Sequence, residues 1–269
     1  MLSLTSLQDV DHRVIRWGSI ALAIVTIYLL YLFLSDNLAI MLLDYNRHGH
    51  VDADGVMQHG RFPYSVQTAM WISFYFALGE LLIRRISADM ETSQLSKRYL
   101  PEEFKTVLQA GDLPSIYREL RNSPDLNKCF LPRLIDRCIL QFQASQSIDQ
   151  SASLLNTSVE MFLHEVDLHY NMVRYICWLI PSLGFIGTVV GIGEALEYAG
   201  GHAQDTDLLG RTTGQLAVSF NGTFLALVMA SILVFLQNRI QSKEEHALNL
   251  GAQYCLDNLI NRLYVVKPA

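Results

Sequence analysis

The sequence is short of charged residues, which make up 17% of its 269 positions, whereas hydrophobic residues make up 51%. Soluble domains usually carry about 25% charged residues. The deficit is concentrated in four blocks, and this distribution indicates membrane spans rather than one large soluble core. The net charge of -6 and the lack of a basic patch interleaved with aromatic residues argue against a nucleic-acid partner.

The sequence also contains few residues typical of disulfide, zinc or catalytic motifs. Its four cysteines have no close pair spacing, so we expect reduced, buried thiols. It has no serine-nucleophile motif, no phosphate-binding loop and no zinc-ligand spacing. We therefore expect no enzymatic activity of its own and no cofactor beyond a transported ion.

Four apolar segments are long enough to cross a bilayer as helices, which takes about 20 residues. They are residues 17–34, 62–83, 175–196 and 212–237. The first is longer than the apolar part of a signal peptide and has no small-residue cleavage site before Asp36, so we interpret it as a retained span.

The distribution of lysine and arginine predicts the orientation of these spans. Of the 20 basic residues, 17 lie in residues 1–16, 84–174 and 238–269. Only three lie in the two remaining loops, 35–61 and 197–211. Both termini and the large middle region are therefore predicted to be cytoplasmic, and the two short loops periplasmic.

The cytoplasmic region is predicted to be helical. No glycine or proline occurs between Arg133 and Ile180, and apolar residues recur there at helical spacing. This pattern predicts one continuous helix that enters the third span. Nothing breaks the chain between Thr223 and Leu250 either, so the fourth span should extend into a cytoplasmic C-terminal helix. The expected fold class is all-α, a four-span membrane protein with long helical extensions.

Acidic residues occur near the ends of two spans. Glu80 is four residues before Arg84, and an i,i+4 ion pair between them is the expected arrangement. Glu194 lies beyond the centre of the third span, towards the periplasm. It is either a residue at the mouth of an ion path that attracts cations, or a hydrated carboxylate at a helix end.

The third and fourth spans each carry a stripe of small residues with hydroxyls among them. On a helix, the shared faces consist of Gly184, Gly187, Thr188 and Gly191 in the third span and Ser219, Thr223, Ala226 and Ala230 in the fourth. Small residues on one face let helix backbones approach closely. Pro181 removes one backbone hydrogen bond near the cytoplasmic end. The stripes are either packing seams, with threonines bonded to their own helices, or the walls of a polar path.

The segment GFIGTVVGIGEAL of the third span and LAVSFNGTFLALVMASILVFLQNRI of the fourth resemble the two core segments of the MotA/TolQ/ExbB proton-channel family. The segment IPSLGFIG resembles the proline-containing start of the third span in flagellar stators. Four spans with a large cytoplasmic region between the second and third are similar to the stator A-subunit, whereas the TolQ and ExbB branch usually has three.

The resemblance implies a bacterial inner-membrane motor complex. It implies a homopentamer around two copies of a single-span MotB/TolR/ExbD-like subunit, whose membrane aspartate takes up and releases ions. Carried over by position, Thr188 and Thr223 match the threonines of the two motifs and would face that aspartate. We assign to the ion pathway Thr188, Thr223, Pro181, Ser219, Asn221 and Glu194, and to helix packing Gly184, Gly187, Gly191 and Ala226.

The chain departs from the family pattern at one place. It has Asn221 and Gly222 where some relatives have an acid and a second threonine. This leaves proton or sodium open as the transported ion, and the resemblance does not say which process is powered. A non-conducting membrane scaffold and a small secondary transporter are the alternative functions, although the repeats usual in transporters are not seen.

The periplasmic loop contains DYNRHGHVDADG, which resembles an EF-hand-type calcium loop. The candidate calcium ligands are Asp44, Asn46, Asp52 and Asp54. His48 stands where an acid or amide is usual, and Gly55 stands where a bidentate acid should be. Weak calcium binding and a polar, turn-rich loop are both compatible with this pattern.

Overall fold

A computed structural model describes residues 12–51, 57–60, 63–103, 107–126, 128–204 and 206–264. Its α-helices, in chain order, are α1 (His12–Phe33), α2 (Asp36–Leu43), α3 (Val66–Gln94), α4 (Leu113–Arg121), α5 (Phe130–Ser145), α6 (Ile148–His169), α7 (Asn171–Gly201) and α8 (Leu208–Asn258). Two strands, β1 (Tyr45–Val51) and β2 (Met57–Gly60), and two 3-10 turns, Leu95–Lys97 and Ile260–Arg262, complete the described elements.

Among the described residues, four helical stretches are long and apolar enough to cross a membrane: His12–Phe33, Val66–Lys97, Ile148–Gly201 and Leu208–Arg262. The predicted number of spans is thereby confirmed. The last three exceed what a bilayer needs. For example, α8 has 51 residues, or about 76 Å at 1.5 Å per residue, against a hydrocarbon core of about 30 Å. The residue limits of the spans and loops stay predictions.

The chain forms two compact units. The first, here called the membrane unit, consists of residues 12–83 and 172–237 within the described ranges. The second, here called the cytoplasmic unit, consists of residues 84–171 and 238–264. The names follow the sequence prediction, whose spans end at residues 83 and 237 and resume at residue 175.

The predicted continuous helix between Arg133 and Ile180 is wrong, because the chain breaks twice in this region. Helix α5 ends at Gln146, whose backbone is left-handed with φ of 49° and whose N–H bonds to the Phe142 carbonyl. Ser147 then begins α6, and its hydroxyl accepts a hydrogen bond from the Gln150 N–H. A serine N-cap can start a new helix without glycine or proline. The second interruption is slight: Tyr170 alone separates α6 from α7, and its backbone stays right-handed, so that Ile148–Gly201 continues as one helical stretch.

The all-α prediction is confirmed for most of the described residues, which are helical. It is corrected in the loop of residues 35–61, which contains two short β-strands. There α2 is followed by an antiparallel pair, β1 and β2, with Val51 opposite Met57. Asp44 ends α2 in a left-handed conformation with φ of 56°.

The cytoplasmic unit has a conventional core of large apolar side chains. Helix α5 buries Leu134, Ile135, Ile139 and Phe142 completely or nearly so. Its first residue, Phe130, packs against Phe162 of α6 with ring centroids 5.1 Å apart. Helices α5 and α6 therefore form the centre of this unit.

Candidate ion-pathway site

The hydroxyls of Thr188 on α7 and Thr223 on α8 meet in the membrane unit and are hydrogen-bonded to each other. Thr188 is only 9% exposed. Its Oγ1 lies 3.1 Å from the Ser219 carbonyl oxygen and 3.2 Å from that of Gly184, while Thr223 Oγ1 lies 2.9 Å from the same Gly184 oxygen. Two hydroxyls and two backbone carbonyls thus form one polar cluster, here called the threonine pair.

Small residues allow α7 and α8 to come this close. A Cβ built on Gly184 would lie 2.5 Å from Ala226 Cβ and 3.2 Å from Thr223 Cα. A Cβ built on Gly191 would lie 2.8 Å from Ser219 Cβ. Real Cβ atoms do not occupy such positions without displacing the neighbour, so both positions require glycine for the observed spacing.

The structure brings some of the other candidate residues to the threonine pair and leaves others apart. Ser219 is 8% exposed and donates its own hydroxyl proton to the Gln215 carbonyl at 2.9 Å. Asn221 and Pro181 are half-buried, and Glu194 is exposed. A Cβ on Gly187 would touch Val66 at the start of α3, at 3.7 Å, rather than α8.

Gln67 of α3 is a polar residue of this site that the sequence analysis missed. It is 7% exposed, and a Cβ on Gly222 would lie 3.4 Å from its Nε2. The amide therefore approaches the backbone of α8 next to Thr223. The sequence does contain a signal for Gln67, since it is an amide inside the apolar segment 62–83. An amide exposed to lipid is costly, so such a side chain usually faces other polar groups inside the protein.

The threonine pair has the chemistry to hold a proton carrier without fixed charge. Each hydroxyl can donate one hydrogen bond and accept two. Two hydroxyls in contact can exchange donor and acceptor roles, and the one proton not used between them can be donated to the carbonyl of Gly184 or of Ser219. A full charge in the same place would cost about 2.5–3.5 kcal/mol or more.

The predicted pairing of Glu80 with Arg84 is replaced by another. Glu80 receives hydrogen bonds from Arg16 of α1, through Nε and through NH2 at 3.3 Å. Arg16 and Glu80 lie at the ends of two neighbouring spans. The Glu80 carboxylate therefore pairs with Arg16, 64 residues away in sequence, instead of with Arg84 on its own helix. Arg84 instead lies 3.8 Å from Glu244.

The cytoplasmic unit contains two buried carboxyl groups. The Glu91 carboxylate, 7% exposed, accepts a hydrogen bond from the Phe130 N–H at 2.9 Å and so caps α5. Glu244 accepts one from the Tyr170 hydroxyl at 2.8 Å. Burial raises the pKa of Glu91 to about 7 and also raises the pKa of Glu244. These groups belong to the cytoplasmic unit and lie outside the predicted spans, whereas the threonine pair belongs to the membrane unit.

The calcium prediction falls mostly outside what the structure describes. Asp52 and Asp54 lie outside the described residues, and Asn46 belongs to β1. Asp44 caps α2 through its backbone N–H, which bonds to the Ala39 and Ile40 carbonyls. Among the described residues, no three His, Cys, Asp or Glu side chains are grouped to hold a metal ion. Calcium binding by this loop stays a prediction.

Comparison with known families gives one match. Residues 126–250 match the model of the MotA/TolQ/ExbB proton channel family. The matched segment is a little under half of the chain and includes Thr188, Thr223 and the glycines that bring their helices together. The resemblance drawn from the sequence is thereby confirmed. Neither the curated proteins nor the solved structures gave a match.

Proposed function

We propose that this chain, with its MotA/TolQ/ExbB proton channel domain over residues 126–250, is the channel-forming A-type subunit of an ion-driven motor complex. The family match supports a membrane subunit of a proton channel. The proposal adds that the complex converts ion-motive force into mechanical work in the bacterial inner membrane. Five copies would surround two copies of a MotB/TolR/ExbD-like subunit, with both termini of each copy in the cytoplasm.

The observation that carries the proposal is the threonine pair. The two residues assigned to the ion pathway from separate motifs, Thr188 and Thr223, are hydrogen-bonded to each other. In a ring of copies, this cluster would face the membrane aspartate of the partner subunit. Its hydroxyls would hold a water molecule or an ion beside that carboxylate during proton transfer.

The outer surface of the membrane unit also supports an assembled state. Large apolar side chains such as Trp178, Phe185 and Phe235 are exposed. A single soluble chain rarely exposes so many, because large apolar patches associate. Lipid and neighbouring copies of the chain together would cover them.

One observation favours a second candidate function, a non-conducting scaffold. The hydroxyls of the threonine pair find acceptors within the chain, at the Ser219 and Gly184 carbonyls. A packing contact between α7 and α8 therefore requires no water molecule, ion or partner carboxylate at the threonine pair. The two functions differ in whether the assembled complex conducts ions.

The composition of the complex is tested by purifying the tagged full-length chain from native membranes in mild detergent and measuring its mass by native mass spectrometry. We expect five copies of the chain with two copies of a single-span protein. A monomer or dimer without such a partner would contradict the motor assignment.

Conduction is tested by reconstituting that complex into liposomes with an entrapped pH dye and imposing a potassium diffusion potential. We expect proton uptake that the potential drives. Sodium-dependent uptake measured with a sodium dye, without a pH change, would identify sodium as the ion. A complex of the expected composition that passes neither ion would establish the scaffold.

A further inference from the structure

The cytoplasmic unit contains a basic cavity of about 290 Å³, here called the arginine cavity, which is lined by Arg121, Leu126, Arg133, Asp136 and Arg137. Its volume is about ten times the ~30 Å³ that a water molecule occupies in the liquid. It is also close to the lower end of the range for small-molecule sites, about 300–1,000 Å³. The cavity lies where the C-terminal end of α4 meets the first turns of α5.

Aromatic rings hold the three guanidinium groups of the arginine cavity. The Cζ atoms of Arg133 and Arg137 lie 4.3 Å and 4.9 Å from the centroid of the same ring, that of Phe162. Arg121 lies over Tyr117 at 5.2 Å. These contacts orient the guanidinium groups, but they also gather two positive charges around one ring. Such an arrangement is stabilised by a nearby anion.

The side chains next to Arg133 and Arg137 make only long contacts with these two guanidinium groups. Arg133 contacts Glu165 only at 3.4 and 3.5 Å, and Arg137 contacts the Ser158 hydroxyl at 3.4 Å. The two contacts with Glu165 are long for charge-assisted hydrogen bonds, which are usually about 2.7–2.9 Å, and the contact with the Ser158 hydroxyl is also long for a hydrogen bond. Since each guanidinium has five N–H donors, most of this donor capacity is not used by the described contacts.

Asp136 adds one acceptor to the lining. Its Oδ1 lies 3.7 Å from Arg121 Nε, which is an ion pair but too long for a hydrogen bond. The same oxygen is buried and makes no hydrogen bond to any residue that the structure describes. A buried carboxylate oxygen without a donor is costly, so a ligand that brings a hydroxyl or N–H would stabilise it.

We propose that the arginine cavity binds a small phosphate monoester that carries hydroxyl groups, such as a nucleoside monophosphate or a sugar phosphate. Three guanidinium groups and the Asp136 carboxylate give the lining a net charge of +2, and the Glu165 carboxylate beside Arg133 lowers the local net charge to +1, which still attracts the −1.5 to −2 charge of a phosphate monoester. Guanidinium groups bind phosphate oxygens through paired N–H donors. Asp136 accepts from a hydroxyl of the ester and disfavours a bare anion.

The test uses the full-length protein in detergent and isothermal titration calorimetry at constant ionic strength. The probes are adenosine monophosphate, glucose 6-phosphate, inorganic phosphate and adenosine. We expect saturable binding of at least one of the two esters, weaker binding of inorganic phosphate and none of adenosine. No saturable binding of either ester would overturn the proposal, as would binding of inorganic phosphate as tight as that of the esters.

Arg121→Gln is the informative variant, because this side chain is 55% exposed and its loss disturbs the fold least. We expect ester binding to weaken about tenfold, the equivalent of about 1.4 kcal/mol. Arg118→Gln is the matched control, since Arg118 also lies in the last turn of α4 but does not line the cavity. Equal weakening by both variants would indicate general charge attraction and would overturn the proposal.

Asp136→Asn provides a second readout that does not depend on Arg121. Removal of its negative charge should tighten the binding of inorganic phosphate about threefold or more and reduce the preference for the ester, because like charges repel. Unchanged affinity for both probes in a folded Asp136→Asn protein would remove the basis for the proposed ligand class. None of these results depends on ion conduction.

Discussion

The two units of this chain bring their central helices together through different kinds of residue. In the cytoplasmic unit, the buried positions of α5 and α6 are large and apolar, with Phe142 and Phe162 almost fully buried. In the membrane unit, α7 and α8 come close where Gly184 meets Ala226 and where Gly191 meets Ser219, and many large apolar side chains of these helices, such as Trp178 and Phe235, are exposed. The hydrophobic effect drives the first arrangement, whereas lipid surrounding the second removes that drive.

Because of this difference, the substitutions that destabilise the two units are of opposite kinds. A large-to-small change leaves a cavity in the cytoplasmic unit, where packing is dense. A small-to-large change separates α7 from α8 in the membrane unit, where close backbone approach provides the contact. Phe142→Ala and Gly184→Ala test this contrast directly, whereas Glu91→Gln and Ser147→Ala test two polar contacts of the cytoplasmic unit.

The largest expected effect is that of Phe142→Ala in the cytoplasmic core. Truncation of a fully buried phenylalanine costs about 3–5 kcal/mol of stability. Leu140→Ala is the control, because Leu140 lies on the same helix and is 41% exposed. Its effect should stay within about 0.5 kcal/mol. Thermal unfolding of the full chain in detergent measures both, and equal shifts would contradict the proposed core.

The second effect depends on pH and concerns Glu91. Its pKa is raised by burial from 4.5 to about 7 in the folded protein, so the folded chain holds this proton more tightly than the unfolded chain. Stability therefore falls as the pH rises from about 4.5 to about 7, by at most about 3 kcal/mol. The charged and titratable groups that influence Glu91 are Glu244 and Arg133.

Glu91→Gln removes that titration but keeps an oxygen that can accept the Phe130 N–H. As the pH is raised from 5 to 8, we expect the melting temperature of the natural chain to fall relative to that of the variant, because only the natural chain must ionise the buried Glu91 carboxyl. A difference in melting temperature that is the same at both pH values would mean that the Glu91 carboxyl does not titrate in this range.

The third effect is that of Gly184→Ala in the membrane unit. The added methyl would lie 2.5 Å from Ala226 Cβ, and overpacking of this kind costs about 1–3 kcal/mol. Gly193→Ala, on the same helix, has no atom within 4 Å of the new Cβ and should leave the protein unchanged or slightly more stable. Fluorescence-detected size exclusion after heating compares them, and identical profiles would argue against close packing of α7 and α8.

The smallest effect is expected for Ser147→Ala, which removes the side-chain cap of α6. Loss of a serine N-cap typically costs about 1 kcal/mol. The drop in melting temperature should be clearly smaller than that of Phe142→Ala. A drop as large as that of the core variant would show that the break at residues 146 and 147 does more than begin a helix.

The sequence was sufficient to predict features that depend on local composition. Four apolar blocks predicted four helices of spanning length, and the spacing of Gly184 and Gly191 predicted a face that admits a close neighbour. Both follow from periodicity within one helix. The contact between Thr188 and Thr223 also fits the two stripes, although spacing alone does not determine which helices pair.

Other features could not be predicted because they depend on contacts distant in sequence or on subtle capping. Glu80 pairs with Arg16, 64 residues away, and an i,i+4 rule considers only its own helix. The break at Gln146 occurs without glycine or proline, since a left-handed glutamine and a serine cap suffice. Gln67 becomes part of the site only through the packing of α3 against Gly222.

The central claim is that the threonine pair lines the ion path, and proton uptake by liposomes containing Thr188→Val complexes tests it most directly. Valine keeps the shape of threonine but removes the hydroxyl, so we expect uptake to fall at least about tenfold while the complex keeps its composition. Thr213→Val is the control, because this exposed hydroxyl donates to carbonyls of its own helix, those of Leu209 and Gly210. Uptake by intact Thr188→Val complexes that equals that of the control would contradict the account.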